Sequence, residues 1–365
     1  MGINCTVSPS RFFSVWNCFI RMIGVTSLVF LIGLQIYGIF IFDNILILNT
    51  SMTCLYSFLL VNYVHMFAKT KRLFVVLKTT FAKMDKMGIQ KIRSYDKRHS
   101  TVSFLIIVTS ITSMIVYGSV VGFGQEFSIV GFGFKNAISA TYILLLLPIA
   151  VWTFYLYIFL MQFYQSVLFI TVQVAETIRN QFVQSRTSGE PDYDKMRSSL
   201  EWYNSLMRRV NEDIGILPFS LLAIEFVDFA SVISYLVTSG SRSEISPHLA
   251  YLSLSTMTLL FVKIFIQLVE LGNQSRRSIA NAWKIAEESV ADPFTLCSAS
   301  SEKAMRQRKA LKFFLITESV VPAKAGDNIV INRSLILNFF NQLIPFTVMM
   351  FTTLKEFDRN HQLTT

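Results

Sequence analysis

Apolar blocks long enough to cross a bilayer recur along this chain, and the loops between them carry their basic residues on alternate sides. A helix rises 1.5 Å per residue, so about 20 mostly apolar residues cross a hydrocarbon core of ~30 Å. Blocks of that length run Met22–Phe42, Ile45–Phe67, Val102–Phe123, Ile138–Phe163, Ile216–Val237 and Leu249–Leu271. A seventh, Ser334–Leu354, is apolar but carries Asn338, Asn341, Gln342 and Pro345. Charged residues are only 15% of the 365, where soluble domains carry about 25%, so the deficit is concentrated in these blocks. The spacing predicts an all-α, polytopic membrane protein of seven spans.

The loops set its orientation. Arg11 and Arg21 precede or edge the first span, ten Lys and Arg fall in 69–100, six in 164–213 and ten in 272–333. The other side holds Lys135, Arg242, Lys355 and Arg359, and Lys263 lies inside the sixth block. Lys and Arg stay on the cytoplasmic side of inserted helices. The split therefore places the N-terminus in the cytoplasm and the C-terminus outside, in a plasma-membrane protein. The first block is too long for a secretory h-region and reads as a span. The net charge of +10 follows from this loop bias and calls for lipid rather than nucleic acid.

Amphipathic helices are expected to carry several spans on into the cytoplasm. Val167, Ile170, Val174 and Ile178 recur at helical spacing after the fourth span; Leu200, Tyr203, Leu206 and Val210 do so before the fifth. Phe74, Leu77 and Phe81 suggest a similar extension between spans two and three, and 300–316 reads as a further amphipathic helix. Their apolar faces would be buried either in a cytoplasmic platform or against the lipid surface. The division expected is 1–271 as a six-span body, 272–333 as a cytoplasmic anchor and 334–365 as the last span and tail.

No enzyme chemistry is legible. His65, His99, His248 and His361 are scattered; Cys5, Cys18, Cys54 and Cys297 share no metal-type spacing; no phosphate-binding loop or nucleophile elbow occurs. Neither cofactor nor metal is expected. The glycines at 122, 124, 131 and 133 read as turn residues of a short outer loop.

Polar groups inside the spans are the informative ones. Glu225 and Asp228 share a face of span five, and Lys263 sits at a depth on span six that would let it pair with either. Such charges serve as a structural ion pair or as ligand-facing or water-facing groups. Tyr56, Tyr117, Tyr142, Tyr235 and Tyr251 fall in outer halves of spans; together with Asp228 they would suit a small-molecule pocket open to the outside, or an interfacial aromatic belt.

The segment GDNIVINRSLILNFFNQLIPFTVMMFTTLKEF resembles the C-terminal signature of insect gustatory receptors, and LEWYNSLMRRVNEDIGILPFSLL resembles that family's run into span five. The family's terminal motif is Thr-Tyr, five apolar residues and Gln-Phe. Here the length and apolar middle match, with Pro345-Phe346 and Thr352-Thr353 at the named positions. The resemblance implies a chemosensory, ligand-gated cation channel subunit, working as a homo- or heterotetramer of receptor subunits in which a small tastant-like molecule acts on the last span. Gln342, Phe346, Met349, Thr352 and Thr353 would line the pore or form its gate. The alternatives are a non-conducting member of the same fold and a transporter that uses Glu225, Asp228 and Lys263.

The charge split yields a direct test. An epitope placed after Thr365 should be stained on intact cells, and staining seen only after permeabilisation would reverse the orientation.

Overall fold

The structure, a computed structural model, describes residues 11–41, 46–84, 86–122, 127–129, 132–134, 138–187, 193–238, 262–282, 284 and 320–364. These form α1 (Arg11–Ile41), α2 (Leu46–Lys83), α3 (Lys86–Gly122), β1 (Phe127–Ile129), β2 (Phe132–Phe134), α4 (Ile138–Thr187), α5 (Tyr193–Ile214) and α6 (Ile216–Thr238). Helix α7 (262–282) follows, then β3 (Lys324–Ala325), β4 (Ile329–Val330) and α8 (Arg333–Thr364). Each expected span falls on one of these helices, the sixth being described only from residue 262. The proposed helix 300–316 and Tyr251 lie outside the described residues.

The long helices explain themselves by where their apolar residues go. Helix α4 has 50 residues, roughly 75 Å at 1.5 Å each, more than twice a hydrocarbon core. The run Tyr155–Gln184 is the described segment long and apolar enough to cross a membrane, yet most of it is buried inside the fold. Its apolar face is therefore spent on other helices rather than on lipid. Tyr157, Tyr164, Val172, Val174 and Ile178 are each fully enclosed. The stripe read from sequence, Val167, Ile170, Val174 and Ile178, is buried along its whole length.

Facing it, the most amphipathic helix of the chain, α5, buries Leu200, Tyr203, Leu206 and Val210. The Tyr203 hydroxyl meets Ser275 on α7 at 2.5 Å, and burial pushes that phenol up to about 12. Asn211 and Gly215 close α5, and Ile216 restarts the chain as α6 after a single non-helical residue. Leu73 and Leu77 of α2 join the same core, so the platform is assembled from extensions of several spans.

Helices α1 and α2 pack through a close approach at Gly24. A Cβ there would lie 2.6 Å from the Tyr63 hydroxyl. Tyr63 is not free to withdraw, since its ring stands edge-on to Phe67 at 4.5 Å and to Trp152 at 5.8 Å. Arg21 lies over Phe67 at 4.2 Å, a cation–π contact between the two helices.

The outer loop expected as turn glycines contains a small antiparallel ribbon, Phe127↔Phe134 through Ile129↔Phe132. Gly133 sits inside it, opposite Ser128. The alternation of Phe with small residues was its only signal, and it is too short for period-two reading.

Gly24→Ala should cost about 1–3 kcal/mol by overpacking against Tyr63. Gly33→Ala, which meets nothing within 4 Å, should not. Thermal unfolding of the detergent-purified protein would separate the two, and equal midpoints would refute the close approach.

Candidate functional site

Helix α8 has two unlike sides. One packs on the body: Phe339 and Leu343 are buried, and Phe226 of α6 meets the rings of Phe339 at 5.8 Å and Phe346 at 4.8 Å. Phe265 of α7 reaches Phe339 at 5.7 Å. The other side presents Asn338, Asn341, Gln342, Pro345, Met349 and Thr352, all exposed. The helix runs through Pro345 unbroken. Proline has no N–H, so the Asn341 carbonyl loses its helical donor on this same exposed side. Thr347 and Thr352 instead fold back on the carbonyls of Leu343 and Met349, both at 2.8 Å.

Of the residues expected along a pore, Gln342, Met349 and Thr352 thus share one exposed face. Phe346 does not join them; it is rotated onto Phe226. The side chain of Thr353 lies outside the described residues. Heptad-like spacing alone placed Phe346 within reach of that stripe, and the ring's fit against α6 decides its side.

The root of α8 is held by a short hairpin. Residues 320–332 fold as β3 paired with β4, Lys324↔Val330 and Ala325↔Ile329. Gly326 takes a positive φ of 64° at the tip, where a side chain would strain the backbone. The hairpin is stitched to the α5–α6 junction. Asn211 donates through Nδ2 to the Pro322 carbonyl at 2.9 Å and accepts from the Lys324 amide at 3.0 Å. Asn204 accepts from the Val321 amide at 3.0 Å, and the Gly326 amide donates to the Gly215 carbonyl at 2.7 Å. Gly272 of α7 lies so close to Ile331 that a Cβ would stand 2.9 Å from its carbonyl. Arg333, the first residue of α8, reaches Glu270 at 3.3 Å. Any displacement of α5, α6 or α7 is therefore passed to the start of α8.

Of the intramembrane charges, Glu225 and Lys263 are described, while the side chain of Asp228 is not. Glu225 is buried and accepts a hydrogen bond from the Tyr157 hydroxyl of α4. Lys263 is exposed and no ion pair joins it to Glu225 among the described residues. Its charge acts instead on His99 of α3, which burial, Lys263 and Arg98 together hold below its ordinary value against the opposing pull of Asp96. The direction in which each side chain leaves its helix is not legible from a count of residues. Gln267, one turn along α7, accepts from Gln165 of α4 at 2.9 Å.

Of the proposed ligand-facing residues, Tyr56 is described and is buried in the body. The side chains of Tyr117, Tyr142, Asp228 and Tyr235 lie outside the described residues, as does Tyr251 altogether.

Asn211 carries two of the stitches, so Asn211→Ala should cost about 1–3 kcal/mol. More specifically, it should speed amide hydrogen exchange across 320–331. Unchanged exchange there would show that the hairpin does not depend on α5.

No family model matches the chain, and no curated protein matches it. Solved structures do. The insect olfactory receptor OR5 from Machilis hrabei superposes with a TM-score of 0.63 at 10% identity, covering 93% of this chain and 89% of that one. The same receptor in complex with eugenol gives 0.69 at 11% identity, covering 95% and 90%. With the sequences so far apart, the agreement lies in the course of the backbone: this chain has the all-helical fold of an insect olfactory receptor.

Proposed function

We propose that the chain is a subunit of a chemosensory, ligand-gated cation channel of the insect chemoreceptor superfamily, gustatory in kind. The exposed face of α8 carries the reading. Asn338, Asn341, Gln342 and Thr352 lie together on it, beside a carbonyl deprived of its donor by Pro345. A polar group placed in hydrocarbon without a partner costs roughly 2–7 kcal/mol, so this face requires water or another subunit. Four such helices around an axis would give each face both. The fold likeness to an olfactory receptor supports the chemosensory assignment, and the terminal segment's resemblance supports the gustatory one.

Met349 stands on that face and serves as the constriction, since a flexible apolar side chain can close a narrow pore by dewetting and can swing aside. Phe346 couples α8 to α6 through Phe226. A small organic molecule, taken up in the outer half of the bundle near Tyr56, Tyr117, Tyr142, Asp228, Tyr235 and Tyr251, shifts α6 and with it α8. The N-terminus and platform lie in the cytoplasm, and the C-terminus outside. The transporter alternative would use Glu225, Asp228 and Lys263 as coupling groups, and the fold likeness to an olfactory receptor favours the channel reading over it.

Cysteine substitution tests this. Gln342→Cys, Met349→Cys and Thr352→Cys should render ligand-evoked current sensitive to a charged thiol reagent, whereas Phe346→Cys should not. Robust current with no modified position would exclude α8 from the conduction path.

A further inference from the structure

Beside the stitched hairpin lies a cavity of about 430 Å³ between α5 and residues 320–327. That is within the size range of small-molecule sites, roughly 300–1,000 Å³. Its lining has both signs of charge: Arg208 and Lys324 on one hand, Glu212 and Asp327 on the other, with Val321 and Pro322 as an apolar wall. Glu212 is partly engaged by Arg209 at 3.5 Å, and the Lys324 ammonium donates to the Asp327 carbonyl at 3.0 Å. No ion pair of Arg208 occurs among the described residues.

A simple anion entering here would meet two carboxylates, and a simple cation two cations. A ligand bearing both charges a few ångströms apart satisfies both sets. Depth narrows the choice. The cavity adjoins the start of α6, where the apolar span begins at Ile216, and the half-exposed ring of Phe219 lies against Gly326 at its edge. That is headgroup level in the orientation argued above. The cationic end is narrowed further by the two carboxylates, Glu212 and Asp327. A quaternary ammonium has no N–H to donate to them and relies on aromatic faces instead. A primary ammonium is recognised by donating hydrogen bonds to carboxylates.

We propose that this cavity binds a phosphoethanolamine group, its phosphate between Arg208 and Lys324 and its ammonium toward Glu212 and Asp327. An inner-leaflet phospholipid is the natural source, and the free zwitterion is the other. Bound there, it bridges α5 and the hairpin and adds to the bonds that hold the root of α8. The proposal rests on the membrane placement given above, and its readout is lipid binding rather than current, so it can fail while the channel reading stands.

The test is native mass spectrometry of the full-length protein with phosphatidylethanolamine, phosphatidylcholine or phosphatidylglycerol. The wild type should retain phosphatidylethanolamine about tenfold better than either rival, the scale of one or two charge-assisted bonds. Arg208→Gln and, independently, Asp327→Asn should remove that preference; both positions are exposed, so folding should survive. Competition by free phosphoethanolamine at millimolar concentration would support recognition of the headgroup alone, and absence of competition would support the lipid as source. Equal retention of all three lipids, a preference for phosphatidylglycerol, or a preference that both variants keep would overturn the site.

Discussion

A helix that leaves hydrocarbon and continues into water must find a new partner for its apolar face, and the architecture of this chain follows from that requirement. Helix α4 meets it most fully. Its outer part is span-like in composition, and its inner part carries an apolar stripe that water would expose. The other helices that extend beyond their spans close around it. α5 turns back along α4 with a strongly amphipathic face, α2 adds Leu73 and Leu77, and α7 adds Ser275 against Tyr203. The platform is thus a soluble-type core grown from membrane helices, with Tyr164 and Tyr203 as large side chains enclosed at its centre.

Against that closely packed base, one helix is packed on one side only. Helix α8 touches the body through one side only, chiefly aromatic pairs with α6 and α7, and through its root. Aromatic edge contacts such as Phe226 with Phe339 are worth about 0.5–1.5 kcal/mol each beyond the area they bury. That is enough to set the position of α8 against the body. Pro345 sits on the unpacked side, where the missing N–H weakens the helix locally.

The periodic part of this structure was legible in the sequence. Seven apolar blocks located the spans, and the stripes at Val167–Ile178 and Leu200–Val210 located the platform, because burial of a helix face leaves a spacing that can be counted. What depends on rotation about a helix axis, or on pairs distant in the chain, was not. Glu225 finds Tyr157 rather than Lys263, and Phe346 turns inward, since side-chain azimuth after several turns depends on how neighbouring helices are tilted. Asn204 and Asn211 gave no signal beyond being amides on an amphipathic helix; only the hairpin arriving from more than a hundred residues away gives them a role.

The stitching of that hairpin has an evolutionary corollary. Its bonds run mostly to main-chain atoms: the Gly326 amide to the Gly215 carbonyl, the Ile331 amide to the Ala323 carbonyl, and two asparagines to peptide groups. Peptide groups are the same whatever residue carries them. Substitutions at the exposed positions of 320–331 can therefore accumulate with little effect on the joint, provided the two amides, the tight turn and the buried Ala323, Ala325 and Ile331 survive. A linkage specified largely by backbone rather than by side-chain identity leaves the connection between platform and last helix intact while many of its residues are free to change.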